Sequence, residues 1–179
     1  MRRGMLLIML LLLFSAGRVA VMAQSEPRLN FGRPPSEAEI KAWDTLIDQE
    51  GTKLPKGQGT AVQGATLYAQ RCAMCHGPNG EGTNSAAGVG PVLVGKEGDE
   101  DGGIKHLYFA TTLFAYIHRA MPMHQEGTLS VDEAYSLSAF LLFRNKIIKE
   151  NEVMNAETLS KVKMPVRDEW THPSEEISG

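Results

Sequence analysis

Apolar residues recur at helical spacing along much of the chain. Ile40, Trp43 and Ile47 fall at i, i+3 and i+7 behind Ser36, with Glu37 and Glu39 in the first turn. That pattern predicts a capped amphipathic helix stopping near Gly51, with Trp43 as a core anchor. Val62, Ala65, Tyr68 and Cys72 predict a second helix, capped by Thr60 and ended by Cys72. Gly64 lies four residues before Tyr68 on the same side, which lets another helix cross closely. Leu113, Tyr116, Ile117 and Ala120 predict a third helix that begins at Ala110 or Thr111 and stops before Pro122. The residue before a proline is pushed out of the helical region, so Met121 should be extended. Ser130 and Glu133 form a capping box for a fourth helix carrying Ala134, Leu137, Phe140 and Leu141. This helix is expected to cross the one that carries Tyr68.

The segments between are polar or glycine-rich. Gln24 to Pro35 holds Pro27, Pro34 and Pro35 and reads as an extended arm. Leu54 to Gly59 reads as a linker. Gly77 to Gly103 is rich in glycine, so long regular elements are not expected there. A loop of that length inside a domain usually has a function. Pro91 to Val94 is its apolar patch, and Lys96 to Asp101 a solvated turn. Ile147 to Gly179 has weak periodicity and reads as a tail lying extended on the domain, with Trp170 as a possible anchor.

The start of the chain changes the picture of the rest. Arg2 and Arg3 precede an apolar run from Met5 to Phe14, and Val21-Met22-Ala23 offers a cleavage site. This is the pattern of an export signal cut after Ala23. An uncleaved membrane anchor is the alternative, although the run is short for a span of about 20 residues. Residues 1–23 hold three of the 18 basic residues and none of the 21 acidic ones, so their removal takes the net charge from −3 to −6. Nucleic acid is therefore an improbable partner, and so is anionic lipid. A membrane enters only if the signal stays attached.

The candidate chemistry lies in Cys72-Ala73-Met74-Cys75-His76, which uses both cysteines of the chain. Two thiols three positions apart with a histidine directly after them are the attachment pattern of a c-type haem. Each thiol adds across one vinyl group, and the imidazole ligates the iron from one side. An export signal supports this, because covalent attachment needs reduced thiols outside the cytoplasm. A thioredoxin-type dithiol would want a preceding strand, and a structural zinc site would want four ligands. Wrapping one edge of a haem would give the glycine-rich loop its function. Met121 is the choice for the second iron ligand, while Met123, His118, His124 and Met164 stay open as rivals. The structural alternative for any one methionine is core filling.

With these residues laid out, Cys72 to Gly77, Gly90-Pro91-Val92-Leu93, Met121-Pro122 and the capped helix from Ser130 together resemble a class I cytochrome c. The resemblance covers about residues 60 to 145. It implies an all-α class I fold of haem-wrapping helices and loops, in which the first and last helices cross. It implies one covalent haem c held by Cys72 and Cys75, with His76 and Met121 on the iron. It also implies that the Pro91 carbonyl accepts a hydrogen bond from the His76 ring and so orients it. Further stretches are similar to one subfamily: the arm from Pro35 to Trp43-Asp44, Gly51-Thr52 to Gly57, Ala110 to Pro122, Leu141 to Asn145, and Lys161 to Asp168. Those proteins are the cytochrome subunits that partner molybdenum-containing sulfite or sulfur dehydrogenases in bacterial sulfur oxidation. The chain departs from them at His106-Leu107-Tyr108, at Val166 and at Glu169-Trp170.

The organisation expected is a signal peptide over 1–23, an N-terminal arm with a short helix over 24–58, a haem domain over 59–148 and a C-terminal tail over 149–179. The function implied is a periplasmic electron carrier with no substrate chemistry of its own. Its donor would be a molybdenum-cofactor dehydrogenase subunit and its acceptor a downstream cytochrome or oxidase. A haem enzyme or gas sensor with an open sixth iron position is the competing class.

Overall fold

The computed structural model describes residues 32–170 apart from 45, 86, 87 and 100. The expected signal peptide with its cut after Ala23, the anchor alternative and the arm up to residue 31 lie outside the described residues. The chain divides into two compact units, residues 1–40 and 41–179. Among the described residues no helix is long and apolar enough to cross a membrane.

At the boundary between the units, Ser36 caps helix α1 (Glu37–Trp43). Its hydroxyl accepts from the Glu39 amide at 3.3 Å, and Glu39 accepts from the Ser36 amide at 2.8 Å. Arg33 completes the corner with two contacts to the Glu39 carboxylate. The Arg33 guanidinium, helped by the Ser36 amide and hydroxyl, pulls the Glu39 carboxyl down to about 2. Helix α1 stops at Trp43, well short of Gly51, because the chain turns instead around Asp48. The Asp48 carboxylate accepts from the Thr52 amide at 2.7 Å, and the Asp48 carbonyl from the Gly51 amide. Trp43 is not the core anchor expected of it, since it is 83% exposed.

In the second unit, strand β1 (Gln58–Thr60) leads directly into helix α2 (Ala61–Arg71). Thr60 and Gln63 form a capping box at that junction. A single turn, α3 (Ala73–His76), follows α2. Strands β2 (Thr83–Ser85) and β3 (Gly88–Gly90) pair antiparallel within the glycine-rich region. Helix α4 (Ala110–Ala120) ends just before Met121, and helix α5 (Val131–Arg144) starts at the Ser130–Glu133 capping box. Strand β4 (Val153–Asn155) returns to pair antiparallel with β1, with Gly59 opposite Met154. Helices carry most of the regular structure. The two short ladders are an addition to the all-α expectation.

Helix α2 lies across α5, and the contact is tight enough to fix residue size. A Cβ built on Gly64 would overlap the carbonyl oxygen of Ser136 and come within 2.6 Å of Phe140 Cβ. Next to it the Tyr68 and Phe140 rings pack with centroids 5.0 Å apart. Ser136 is small and turns its hydroxyl back to the Asp132 carbonyl at 2.7 Å, which keeps its polar atom paired inside the crossing. Helix α4 packs on the other side of α5, where Phe114 meets Tyr135 at 4.3 Å.

The buried faces are rotated slightly from the apolar stripes read in sequence. Helix α2 buries Ala61, Gly64 and Tyr68 and leaves Val62 exposed. Helix α4 buries Leu113, Phe114 and Ile117 and exposes Tyr116. Beyond residue 149 the chain does more than lie on the surface. Met154, Leu159 and Met164 are fully buried members of the core.

Two outcomes are expected. Gly64→Ala should destabilise the protein by about 1–3 kcal/mol, as added bulk in a packed contact does, and chemical unfolding of the haem-loaded protein measures it. The Ser130 amide holds the Glu133 carboxyl below its ordinary value. Its contribution is therefore full above an unfolded pKa of about 4.3 and is lost as pH falls through the depressed folded value. Glu133→Gln should flatten the acid limb of a thermal-midpoint against pH curve.

Candidate haem-binding site

The Cys72–His76 turn grows out of the end of α2. The Cys72 amide still bonds the Tyr68 carbonyl at 2.9 Å, and the His76 amide bonds the Cys72 carbonyl at 2.9 Å. One helical turn therefore carries both sulfurs and the imidazole. Both cysteines are free and half-buried. Burial pushes the Cys72 thiol up to about 11, so it is held as a neutral thiol.

Side chains pin this turn from several directions. The Tyr68 hydroxyl donates to the Gly77 carbonyl at 2.9 Å, and burial raises that phenol to about 12. The Thr83 hydroxyl donates to the Cys75 carbonyl at 2.5 Å. The Gly82 amide donates to the His76 carbonyl at 2.8 Å. Gly90 passes so close that a Cβ there would overlap the Cys75 carbonyl oxygen and stand 2.9 Å from His76 Nδ1.

The imidazole is held by the next residue of that loop. His76 Nδ1 lies 2.9 Å from the carbonyl oxygen of Pro91. A carbonyl only accepts, so Nδ1 carries the proton, and in the neutral ring Nε2 keeps its lone pair free for a metal.

Asn145 then ties the loop to the end of α5. Its Nδ2 donates to the Leu93 carbonyl at 2.9 Å and to the Leu141 carbonyl at 2.8 Å, while its Oδ1 accepts from the Gly95 amide at 3.1 Å. This side chain was legible in sequence only as the end of a helical pattern. An amide side chain two positions after the apolar run Leu141-Leu142-Phe143, past Arg144, was the available signal.

The structure places the other candidates on separate elements. Met121 caps the C-terminal end of α4 at φ −118° and ψ 150°, extended and half-buried. Met123 is 55% exposed in the turn that follows. His118 stacks on Phe114 with centroids 5.5 Å apart. His124 sits in an exposed turn at φ +68°. Met164 is fully buried among core side chains.

The donor set fits a covalently held haem. Two unpaired thiols share one turn with an imidazole whose outer nitrogen is already hydrogen-bonded and whose inner nitrogen can ligate. Among the described residues no group of three or more His, Cys, Asp or Glu side chains could hold a bare metal ion.

Comparison with known proteins agrees with this arrangement. Residues 59–141 match the family of cytochrome c oxidase, cbb3-type, subunit III. A chain in the crystal structure of the sulfane dehydrogenase SoxCD from Paracoccus pantotrophus is similar at 32% identity. That match covers 84% of this chain and 75% of the other, with a TM-score of 0.66. The thiosulfate dehydrogenase of Stutzerimonas stutzeri is 34% identical over 88 residues, 49% of this chain and 28% of the relative. That of Psychrobacter arcticus is 34% identical over 92 residues, 50% and 27%. The chain thus spans less than a third of the length of these curated relatives.

The fold and the site define a cytochrome c, a protein with covalently bound haem c. The chain belongs to the cytochrome c family, with a cytochrome c domain of the cbb3-type kind related to thiosulfate and sulfane dehydrogenases.

Asn145→Ala leaves the Gly95 amide without its partner and the Leu93 carbonyl with only the Ile104 amide. Losing these buried bonds should cost about 1–3 kcal/mol. Thermal unfolding of the variant against the wild type, both with haem attached, gives the number.

Proposed function

We propose that this chain is a periplasmic monohaem cytochrome that carries single electrons for a dehydrogenase acting on sulfur compounds. Its donor is a molybdenum-cofactor dehydrogenase subunit, and its acceptor a downstream cytochrome or oxidase. The contact between His76 Nδ1 and the Pro91 carbonyl carries the reading, because it prepares the imidazole as an iron ligand. The similarity to a chain of a sulfane dehydrogenase supports the choice of donor, and so does the subfamily resemblance of the sequence. The close crossing of α2 and α5 supports class I within the cytochrome c folds. Residues 1–23 are read as the export signal, 24–58 as the arm, 59–148 as the haem domain and 149–179 as the tail.

Each residue has a separate task. Cys72 and Cys75 hold the haem through thioethers. His76 Nε2 would ligate the haem iron, and the Pro91 carbonyl keeps the ring from turning. Met121 would supply the second ligand through its thioether. Its extended backbone at a helix end frees the thioether to turn away from α4, and its half-burial leaves the sulfur accessible. Met164, by contrast, is enclosed by the core, and His118 is engaged with Phe114. When bound, haem supplies a one-electron ferric–ferrous couple, which a thioether ligand shifts toward higher potential.

Met121→Ala should abolish the methionine-to-iron charge-transfer band of the ferric protein and open the ferrous protein to fast carbon monoxide binding. Rapid, complete carbon monoxide binding by the wild type at neutral pH would instead favour the enzyme or sensor class. For the donor, purification of the native complex should recover molybdenum together with haem; haem recovered without molybdenum would remove the assigned donor.

A further inference from the structure

A cavity of about 290 Å³ opens at the N-terminal end of α4, lined by none of the residues assigned to the haem. Thr111, Gln49, Lys161, Lys163, Arg167 and Asp168 are among its walls. Helix α4 begins without a side-chain cap, because Phe109 stands at the N-cap position and has no acceptor to offer. The Thr112 amide turns back to the Phe109 carbonyl at 3.2 Å, so the amides of Ala110 and Thr111 are the ones that point outward with the positive end of the dipole of this 11-residue helix.

Thr111 makes this helix end more than an uncapped terminus. The residue is 2% exposed, and its hydroxyl has no hydrogen-bond partner among the described residues. No side-chain oxygen or nitrogen of the described residues is both sealed from solvent and unpaired. The Thr111 hydroxyl must therefore look onto the cavity that it lines. A nearly buried donor left in that state is a group waiting for an acceptor.

Charge around the cavity is predominantly positive. Arg167 is held over the Phe109 ring with its guanidinium carbon 4.0 Å from the centroid. Lys163 is paired at 2.7 Å with Asp168, the one carboxylate among the described residues of the wall. Lys161 has no ion-pair partner among the described residues. Helix amides, a hydroxyl and two cations not offset by a carboxylate together match an oxyanion. The volume leaves room for such an ion with several waters.

We propose that this cavity binds a small tetrahedral oxyanion of the sulfate, thiosulfate or phosphate class. The Thr111 hydroxyl and the first amides of α4 donate to its oxygens, and Lys161 and Arg167 supply the countercharge. The inference stands apart from the electron-transfer reading, since it uses neither the haem nor its ligands.

Sulfate titrated into the haem-loaded protein at fixed ionic strength, with chloride as control, tests it. Calorimetry and the amide shifts of the reduced protein follow the binding. One saturable site is expected, with the largest shifts at Ala110 and Thr111, and thiosulfate and phosphate should compete for it. Arg167→Gln and Lys161→Gln should each weaken binding about tenfold, and Thr111→Val several-fold, with the haem spectrum unchanged. The two charge variants keep the test decisive should Thr111→Val fold poorly. Absence of saturable binding above the chloride control for all three anions would overturn the proposal. So would binding that none of the variants alters.

Discussion

The backbone of α2 rests on the backbone of α5 at Gly64 and Ser136, and the rest of the molecule is arranged from that contact. A methyl group at residue 64 would collide with the Ser136 carbonyl, so the distance between the two helices is fixed by the absence of a side chain. Two consequences run in opposite directions from the crossing. Two turns further along α2 the chain reaches Cys72, which makes the end of the helix the anchor of the haem turn. Two turns further along α5 it reaches Asn145, the clamp on the loop that carries Pro91. The sulfurs and the carbonyl that orients the imidazole are thus placed by two rigid rods in mutual contact.

Between those rods the glycine-rich segment could have been loose, yet several of its carbonyls are bonded across the loop. Gly80 accepts from the amides of Leu93 and Val94 at 2.8 and 2.9 Å. Leu93 accepts from both Asn145 and Ile104. Polar groups in a half-buried loop cost free energy unless they are paired, and here each pairing also restrains the path of the chain past His76. These bonds make the stretch from Gly80 to Gly95 part of the scaffold where they are made, even though its side chains are few.

How far the sequence reveals this depends on whether a feature is local. The cap at Thr60 and the capping box at Ser130 were legible because each acts within three residues, although the part Gln63 plays at Thr60 emerged only in the structure. The crossing was legible from Gly64 and Tyr68, because a missing side chain beside a large one on one helix face has few other uses. Trp43 misled, since an apolar side chain states what it prefers and not whether a surface is there to receive it. Val62 and Tyr116 misled for a related reason. Periodicity finds the stripe, while the neighbour's shape decides how far the helix rotates within it. Asn145 and the buried methionines beyond residue 149 were hidden because their partners are 50 or more residues away in the chain or share no regular spacing. Met154 reaches the core only because β4 pairs with β1, and nothing within three residues on either side announces that pairing.

The separate origins of the two proposed iron ligands follow from the same layout. His76 is fixed by α2, α3 and the loop that Asn145 holds, whereas Met121 is presented by the end of α4. These two groups of elements join mainly through α5, which packs on α2 along one side and on α4 along the other. A change at the end of α4 can therefore alter the thioether side and leave the imidazole, its Pro91 bond and the covalent attachment in place. The reverse does not hold. A change that shifts α5 moves the clamp on Pro91 and the seat of α4 together, so core substitutions in α5 should disturb both proposed ligands at once, whereas those in the last turn of α4 reach only one.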